Sequence, residues 1–144
     1  MEQGRFCLSD IVDFLMEVRK LKVIPRMGWL VAGLPAQETV ASHIFSVCVI
    51  AMLIADMLRK QGEDIDVEKV LRISVLHDVS EARITDIPLV AARYLGCKER
   101  AEECAVSEMM PALGDEYKNL WMEFKERSSI EAMIVRAADK LDFY

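Results

Sequence analysis

The long apolar run from Thr39 to Leu58 carries a histidine, His43, near its start. A run of this length folds either as a membrane span or as the central helix of a buried core. Ser42, His43, Ser46 and Asp56 interrupt it, and no second run of comparable length follows, which favours the buried helix. His43, Val47, Ile50 and Ile54 fall at i, i+4, i+7 and i+11 and share one helical face. That face is expected to turn inward, taking an imidazole into the core with it. Everything else the chain folds into must accommodate a polar ring at that depth.

The rest of the sequence has helical periodicity and poor strand signals, so the expected fold class is all-α. Ile11, Phe14, Leu15, Val18 and Leu21 form a stripe on a first helix from Ser9 or Asp10 to Leu21. Pro25, Gly28, Gly33 and Pro35 mark an irregular loop of about fifteen residues, a length that in a compact domain points to function. Thr39 is placed to cap the second helix and Gly62 to end it. Asp66 caps a third, from Val67 to about Ser80, burying Val70, Ile73, Ser74 and His77. Pro88 opens a short helix that stops near Gly96. Two more follow, Lys98 to Met110 and Asp115 to Arg127, the latter burying Leu120, Trp121 and Phe124. Ser128 and Glu131 have the spacing of a capping box for the last helix. That helix meets no stop signal before Tyr144, so the natural chain is expected to continue.

At 144 residues, 53% of them hydrophobic, one domain with a proper core is expected. The net charge of −6 argues against a groove for a nucleic-acid polymer, while leaving room for a small phosphorylated ligand held by one or two local cations. Cys7, Cys48, Cys97 and Cys104 form no C-x-x-C pair, and Cys48 sits mid-helix as a small hydrophobe. Reduced cysteines and an N-terminus without an apolar leader place the protein in the cytoplasm by expectation. The nine methionines read mostly as core filler.

The chemistry concentrates in few residues. His43 and His77 are the only histidines; Asp78 follows His77 directly, and Asp139 follows two alanines near the C-terminus. Each lies in an apolar helical setting, where a charge is costly unless paired or bound to a metal. One divalent cation held by His43, His77, Asp78 and Asp139, from three helices, accounts for all four. Adjacent helical residues point about 100° apart, so His77 and Asp78 can share an ion only beside the C-terminal end of their helix. Asp142 rivals Asp139, three residues on; Asp139 is preferred because Ala137 and Ala138 allow close helix packing. Two imidazoles and two carboxylates suit Mn²⁺, Co²⁺, Fe²⁺, Ni²⁺ or Zn²⁺, and Mg²⁺ less well.

With these residues in order, H…HD…D, the chain resembles the HD-domain phosphohydrolases, and within them the 5′-deoxynucleotidase branch. Arg26-Met-Gly-Trp29, the approach Glu38-Thr-Val-Ala-Ser-His43, His77 to Glu81 with Thr85-Asp86-Ile-Pro88, and Ala138 to Asp142 carry the likeness. One departure is that Gly33 to Gln37 lacks the second basic residue often found before the first histidine. The resemblance implies an orthogonal bundle of helices, often dimeric, that hydrolyses deoxynucleoside 5′-monophosphates. It implies Glu81 as the group that orients or deprotonates the attacking water. Asp86, Arg26 and Trp29 would line the substrate pocket, Asp86 meeting the sugar or protonating the leaving oxygen. By its place in the loop alone, Trp29 is either a core anchor or, stacked against the sugar, a group that would exclude a 2′-hydroxyl.

The chemistry also stands without the likeness. A metal lowers the pKa of water and polarises a phosphoryl oxygen. Arg26 offers a forked donor matched to phosphate. Glu81, three residues past Asp78, is about one helical turn on. Two rivals remain open. One is another HD-type enzyme, acting on a cyclic nucleotide or a triphosphate, though a triphosphate needs more cations than Arg26, Arg83 and Arg93 offer. A non-catalytic domain would keep a closed structural metal and have no use for Glu81.

Overall fold

The computed structural model describes residues 7–36 and 38–142, and among these no β-strand forms; the fold is all-α. The N-terminal residues behind the no-leader expectation, Gln37, and the end of the last helix at Tyr144 lie outside the described residues. The helices are α1 (Leu8–Val18), α2 (Met27–Val31), α3 (Val40–Lys60), α4 (Val67–Leu76), α5 (Glu81–Ile84), α6 (Leu89–Leu95), α7 (Lys98–Met109), α8 (Asp115–Glu126) and α9 (Ile130–Leu141). They divide into two units. One comprises Met1–Ser42 and Val79–Lys118; the other comprises His43–Asp78 and Asn119–Tyr144.

In the first unit, α1 gives way at Arg19–Lys22 to a 3-10 turn, which buries Leu21. The expected stripe of α1 is otherwise only half-covered, and Leu15 is 57% exposed. The irregular segment after it is more ordered than its prolines and glycines foretell. Pro25 pairs with Thr39 in an isolated antiparallel bridge, and Arg26 N–H donates to Glu38 O while Val40 N–H donates to Ile24 O, both at 2.9 Å. Within the closed loop α2 makes one turn. The α5 helix packs against α1 and α7 and is tied by Arg83, whose Nε and Nη2 donate to Glu17 at 2.7 and 2.6 Å; Nη1 reaches Glu108. Val79, Ala82, Val106 and Met110 are buried here.

Thr39 caps α3 as expected, its Oγ1 accepting from Ser42 N–H at 3.2 Å. Such a cap stabilises a helix by ~1 kcal/mol. The buried face differs in register from the expected one. In the second unit it runs His43, Val47, Ala51, Ala55, a strict i+4 row, whereas Ile50 and Ile54 are only half-buried. Alanines at the inner positions admit close approach, and the larger isoleucines fill the flanks. By length and composition α3 is long and apolar enough to cross a membrane.

The α4 helix begins on Asp66, whose Oδ1 accepts from Lys69 N–H at 3.0 Å. It packs on α9 and ends at Leu76, four residues short of the expected Ser80, with turn at residues 77–80. Trp121, Phe124, Ile73 and Val135 form the core of this unit with Ala138. The capping box is corrected. Ser129, not Ser128, caps α9, accepting from Ala132 N–H at 3.1 Å. Glu131 turns instead to α4, accepting from Asp66 N–H at 3.2 Å and standing 3.7 Å from Lys69 Nζ.

Candidate metal centre

His43 lies one turn into α3, so the Thr39 cap that starts the helix also sets the depth of the ring. His77 is the C-terminal cap residue of α4, and Asp78 begins the turn beyond it. Ending the helix at Leu76 meets the demand that an adjacent histidine and aspartate converge. Asp139 stands in the last turn of α9, behind the fully buried Ala138; Ala137 is exposed, so only one of the two alanines serves close packing.

The four side chains meet within the second unit. His43 Nε2 and His77 Nε2 are 3.4 Å apart. Asp139 Oδ1 lies 3.3 Å from His43 Nε2, and Asp78 Oδ2 lies 3.5 and 3.3 Å from the two Nε2 atoms. Donor atoms of His43, His77 and Asp139 all fall within 4.8 Å of one another. Ligands about 2.0–2.2 Å from one ion are separated by about 3.0–3.6 Å at tetrahedral or octahedral angles. The spacing here fits one divalent cation.

The far side of each ring decides the chemistry. His77 Nδ1 is 2.6 Å from Ser74 O, a carbonyl that can only accept, so Nδ1 carries the proton. His43 Nδ1 is 2.6 Å from Asp142 Oδ2, which fixes the same tautomer. In their neutral forms both rings therefore aim bare Nε2 lone pairs at each other and at two carboxylates. Four acceptors without a donor repel, and a positive charge must sit among them. Asp142, the rival for the fourth ligand, thus stands behind His43 and orients it. Phe124 meets His77 edge-on at 5.2 Å between centroids and walls that side in hydrocarbon.

The acid–base balance follows. Burial pushes Asp78 up, but His77 and His43 outweigh it and hold the carboxyl well below its ordinary range. Asp139 is likewise raised by burial and brought below the usual value by His43 and His77. Burial draws His77 down, yet Asp78 and Asp139 reverse this, and the net shift is upward. Without a metal, protons supply the missing positive charge. These residues fit a divalent cation.

The other expected site residues belong to the first unit. Glu81 opens α5 and is 4% exposed. Asp86 is 9% exposed; its Oδ2 accepts from Met27 N–H at 2.9 Å and stands 3.4 Å from Arg26 Nη1. Trp29 Nε1 donates to Glu38 Oε2 at 3.1 Å. Arg26, Trp29 and Asp86 thus gather around α2. Sequence reasoning did not find the partners Ser74, Glu38 and Phe124. Glu38 sat within the quoted approach to His43, but nothing in its spacing marks an indole partner.

The chain is an all-α domain whose helices bring two histidines and two aspartates to one point. The chain belongs to the HD-domain family, whose model matches residues 18–144. A structure from Pyrococcus furiosus, described as a conserved hypothetical protein, superposes with a TM-score of 0.84 at 46% identity, over 91% of this chain and 76% of that one. One from Magnetospirillum magnetotacticum, described as a predicted metal-dependent phosphohydrolase, gives 0.74 at 26% identity over 95% and 70%. A Schizosaccharomyces pombe protein named 5′-deoxynucleotidase hdd1 is 31% identical, over 92% of this chain and 68% of its own length. The human protein named 5′-deoxynucleotidase HDDC2 is 28% identical, over 92% and 64%. The chain spans about two thirds of the length of these curated relatives.

Proposed function

We propose that the chain is a metal-dependent phosphohydrolase, a 5′-deoxynucleotidase that cleaves deoxynucleoside 5′-monophosphates to deoxynucleoside and phosphate. The observation that carries it is the convergence of His43, His77, Asp78 and Asp139 with both Nδ1 atoms occupied elsewhere. The relatives' names support the same reaction. Mn²⁺, Co²⁺, Fe²⁺, Ni²⁺ and Zn²⁺ suit this donor set better than Mg²⁺. When bound, such an ion supplies Lewis acidity for the phosphoryl oxygen and lowers the pKa of water.

The chain's own residues do the remainder. Asp142 and Ser74 O hold the imidazoles in the ligating tautomer. Glu81, buried at the start of α5, accepts the proton of the attacking water. Arg26 binds phosphate oxygens through its planar fork. Trp29, fixed by Glu38, lies against the sugar and excludes a 2′-hydroxyl. A triphosphate substrate is disfavoured because Arg83 is committed to Glu17 and Glu108. Glu81→Gln tests the catalytic reading. The expected result is phosphate release lowered about a hundredfold or more with metal content unchanged. Release at the parent rate would favour a structural metal.

Phe45, Val49, Leu53 and Met57 form an exposed apolar row on α3, which supports a homodimer. Free cysteines throughout the described residues fit a cytoplasmic setting. Recovery of the protein wholly in the membrane fraction would contradict that placement.

A further inference from the structure

Asp86 has more to hold than a substrate atom. The chain reaches it through Thr85, whose φ of +64° and ψ of 173° belong to a region that β-branched residues rarely enter. Thr85 N–H is itself fixed, donating to Glu81 O at 2.9 Å. On the other side Lys98 Nζ donates to Ile87 O at 3.0 Å. The backbone is thus strained immediately before Asp86 and pinned immediately after it. This turn delivers the Asp86 carboxylate to Met27 N–H, the first amide of α2. Arg26, the residue ahead of that helix, has no side-chain cap of its own for it. The same oxygen of Asp86 faces the Arg26 guanidinium, and both side chains are largely buried, at 10% and 16% exposure.

We propose that Asp86 is a positioning residue, which caps α2 from a distance and sets the pose in which Arg26 meets the phosphate of its ligand. The inference rests on the phosphohydrolase reading for the nature of that ligand and revises the acid or sugar-binding role expected for Asp86. A carboxylate that accepts a backbone amide and pairs with an arginine couples the placement of the helix to that of the cation. Its loss therefore acts through Arg26.

The test measures inorganic phosphate binding to the Mn²⁺-loaded full chain by calorimetry, alongside kcat and KM on deoxynucleoside monophosphates. Asp86→Ala is expected to weaken phosphate binding and raise KM about tenfold, with kcat changed less than about threefold. Asp86→Asn keeps an acceptor for Met27 N–H and is expected to recover part of that loss. Arg26→Ala combined with Asp86→Ala is expected to bind phosphate no worse than Arg26→Ala alone. The proposal is overturned if Asp86→Asn and Asp86→Ala both lower kcat about a hundredfold with KM and phosphate binding kept, the mark of a proton donor. Unchanged phosphate affinity in Asp86→Ala, additive losses in the double variant, or a parent that binds no phosphate would overturn it too. A parent inactive on every nucleotide whose phosphate binding still couples Arg26 to Asp86 would remove the nucleotidase reading and leave this one standing.

Discussion

His77 is gripped from three sides, by Ser74 O at Nδ1, by Asp78 at Nε2 and by the ring of Phe124. Its imidazole is raised above the ordinary value of 6.5 in the metal-free protein because the nearby carboxylates outweigh burial. A divalent cation must displace that proton. Asp78 and Asp139 are held low and stay anionic through the same range, so they add no competing proton near neutrality. Metal affinity is therefore expected to fall as pH drops from above His77's raised value through 6.5, with proton release on binding. Calorimetric titration in two buffers of different ionisation enthalpy reads both; a pH-independent affinity without proton release would contradict the assignment. At this scale the convergence of His43, His77, Asp78 and Asp139 was legible in the sequence, because histidines and aspartates in apolar helical settings must find partners. Asp142 was visible only as a rival. Its position three residues past Asp139 put it near the right face, but spacing cannot tell the front of an imidazole from its back. Ser74 acts through its carbonyl, which every residue has, and so left no mark.

Element ends show why helices were easier to find than to bound. At the end of α3, Gly62 N–H donates to Arg59 O and Glu63 N–H to Leu58 O, a Schellman closure with glycine at its left-handed position. The end of α8 is built the same way, Arg127 N–H donating to Phe124 O and Ser128 N–H to Glu123 O, but Arg127 occupies that position at φ +56°. Glycine announces such a stop and arginine hides it. Arg127 and Ser128 are both taken up in closing α8, and Ser129 is the residue that caps α9. Arg127→Gly is expected to stabilise the protein by about 0.5–1 kcal/mol, since the left-handed strain of a side chain outweighs the entropy of glycine. A denaturant melt with an unchanged or lower midpoint would show that the Arg127 side chain compensates. The early end of α4 and the turn of α2 were hidden for a related reason. For α2 that reason is a side chain far away in sequence, Asp86, which takes its first amide.

For the whole molecule, the all-α class followed from periodicity alone, whereas the division into two units did not, since two clusters of helices share one pattern of apolar spacing. The row Phe45, Val49, Leu53 and Met57 is the feature that a second copy would cover. Leu53→Lys with Met57→Lys is expected to convert a dimer to a folded monomer in sedimentation experiments, and a parent already monomeric would remove that proposal. The central claim is hydrolysis at the His–Asp centre. It is tested most directly by phosphate release from a panel of 5′-deoxy- and ribonucleoside monophosphates, after chelator stripping and with Mn²⁺, Co²⁺ and Mg²⁺ added separately. The expected result is release from the deoxy forms that requires a metal and is abolished in Asp78→Ala, with the preference for deoxy over ribo forms reduced in Trp29→Ala. Release that survives chelation or persists in Asp78→Ala, or no release from any nucleotide with any metal, would contradict the account.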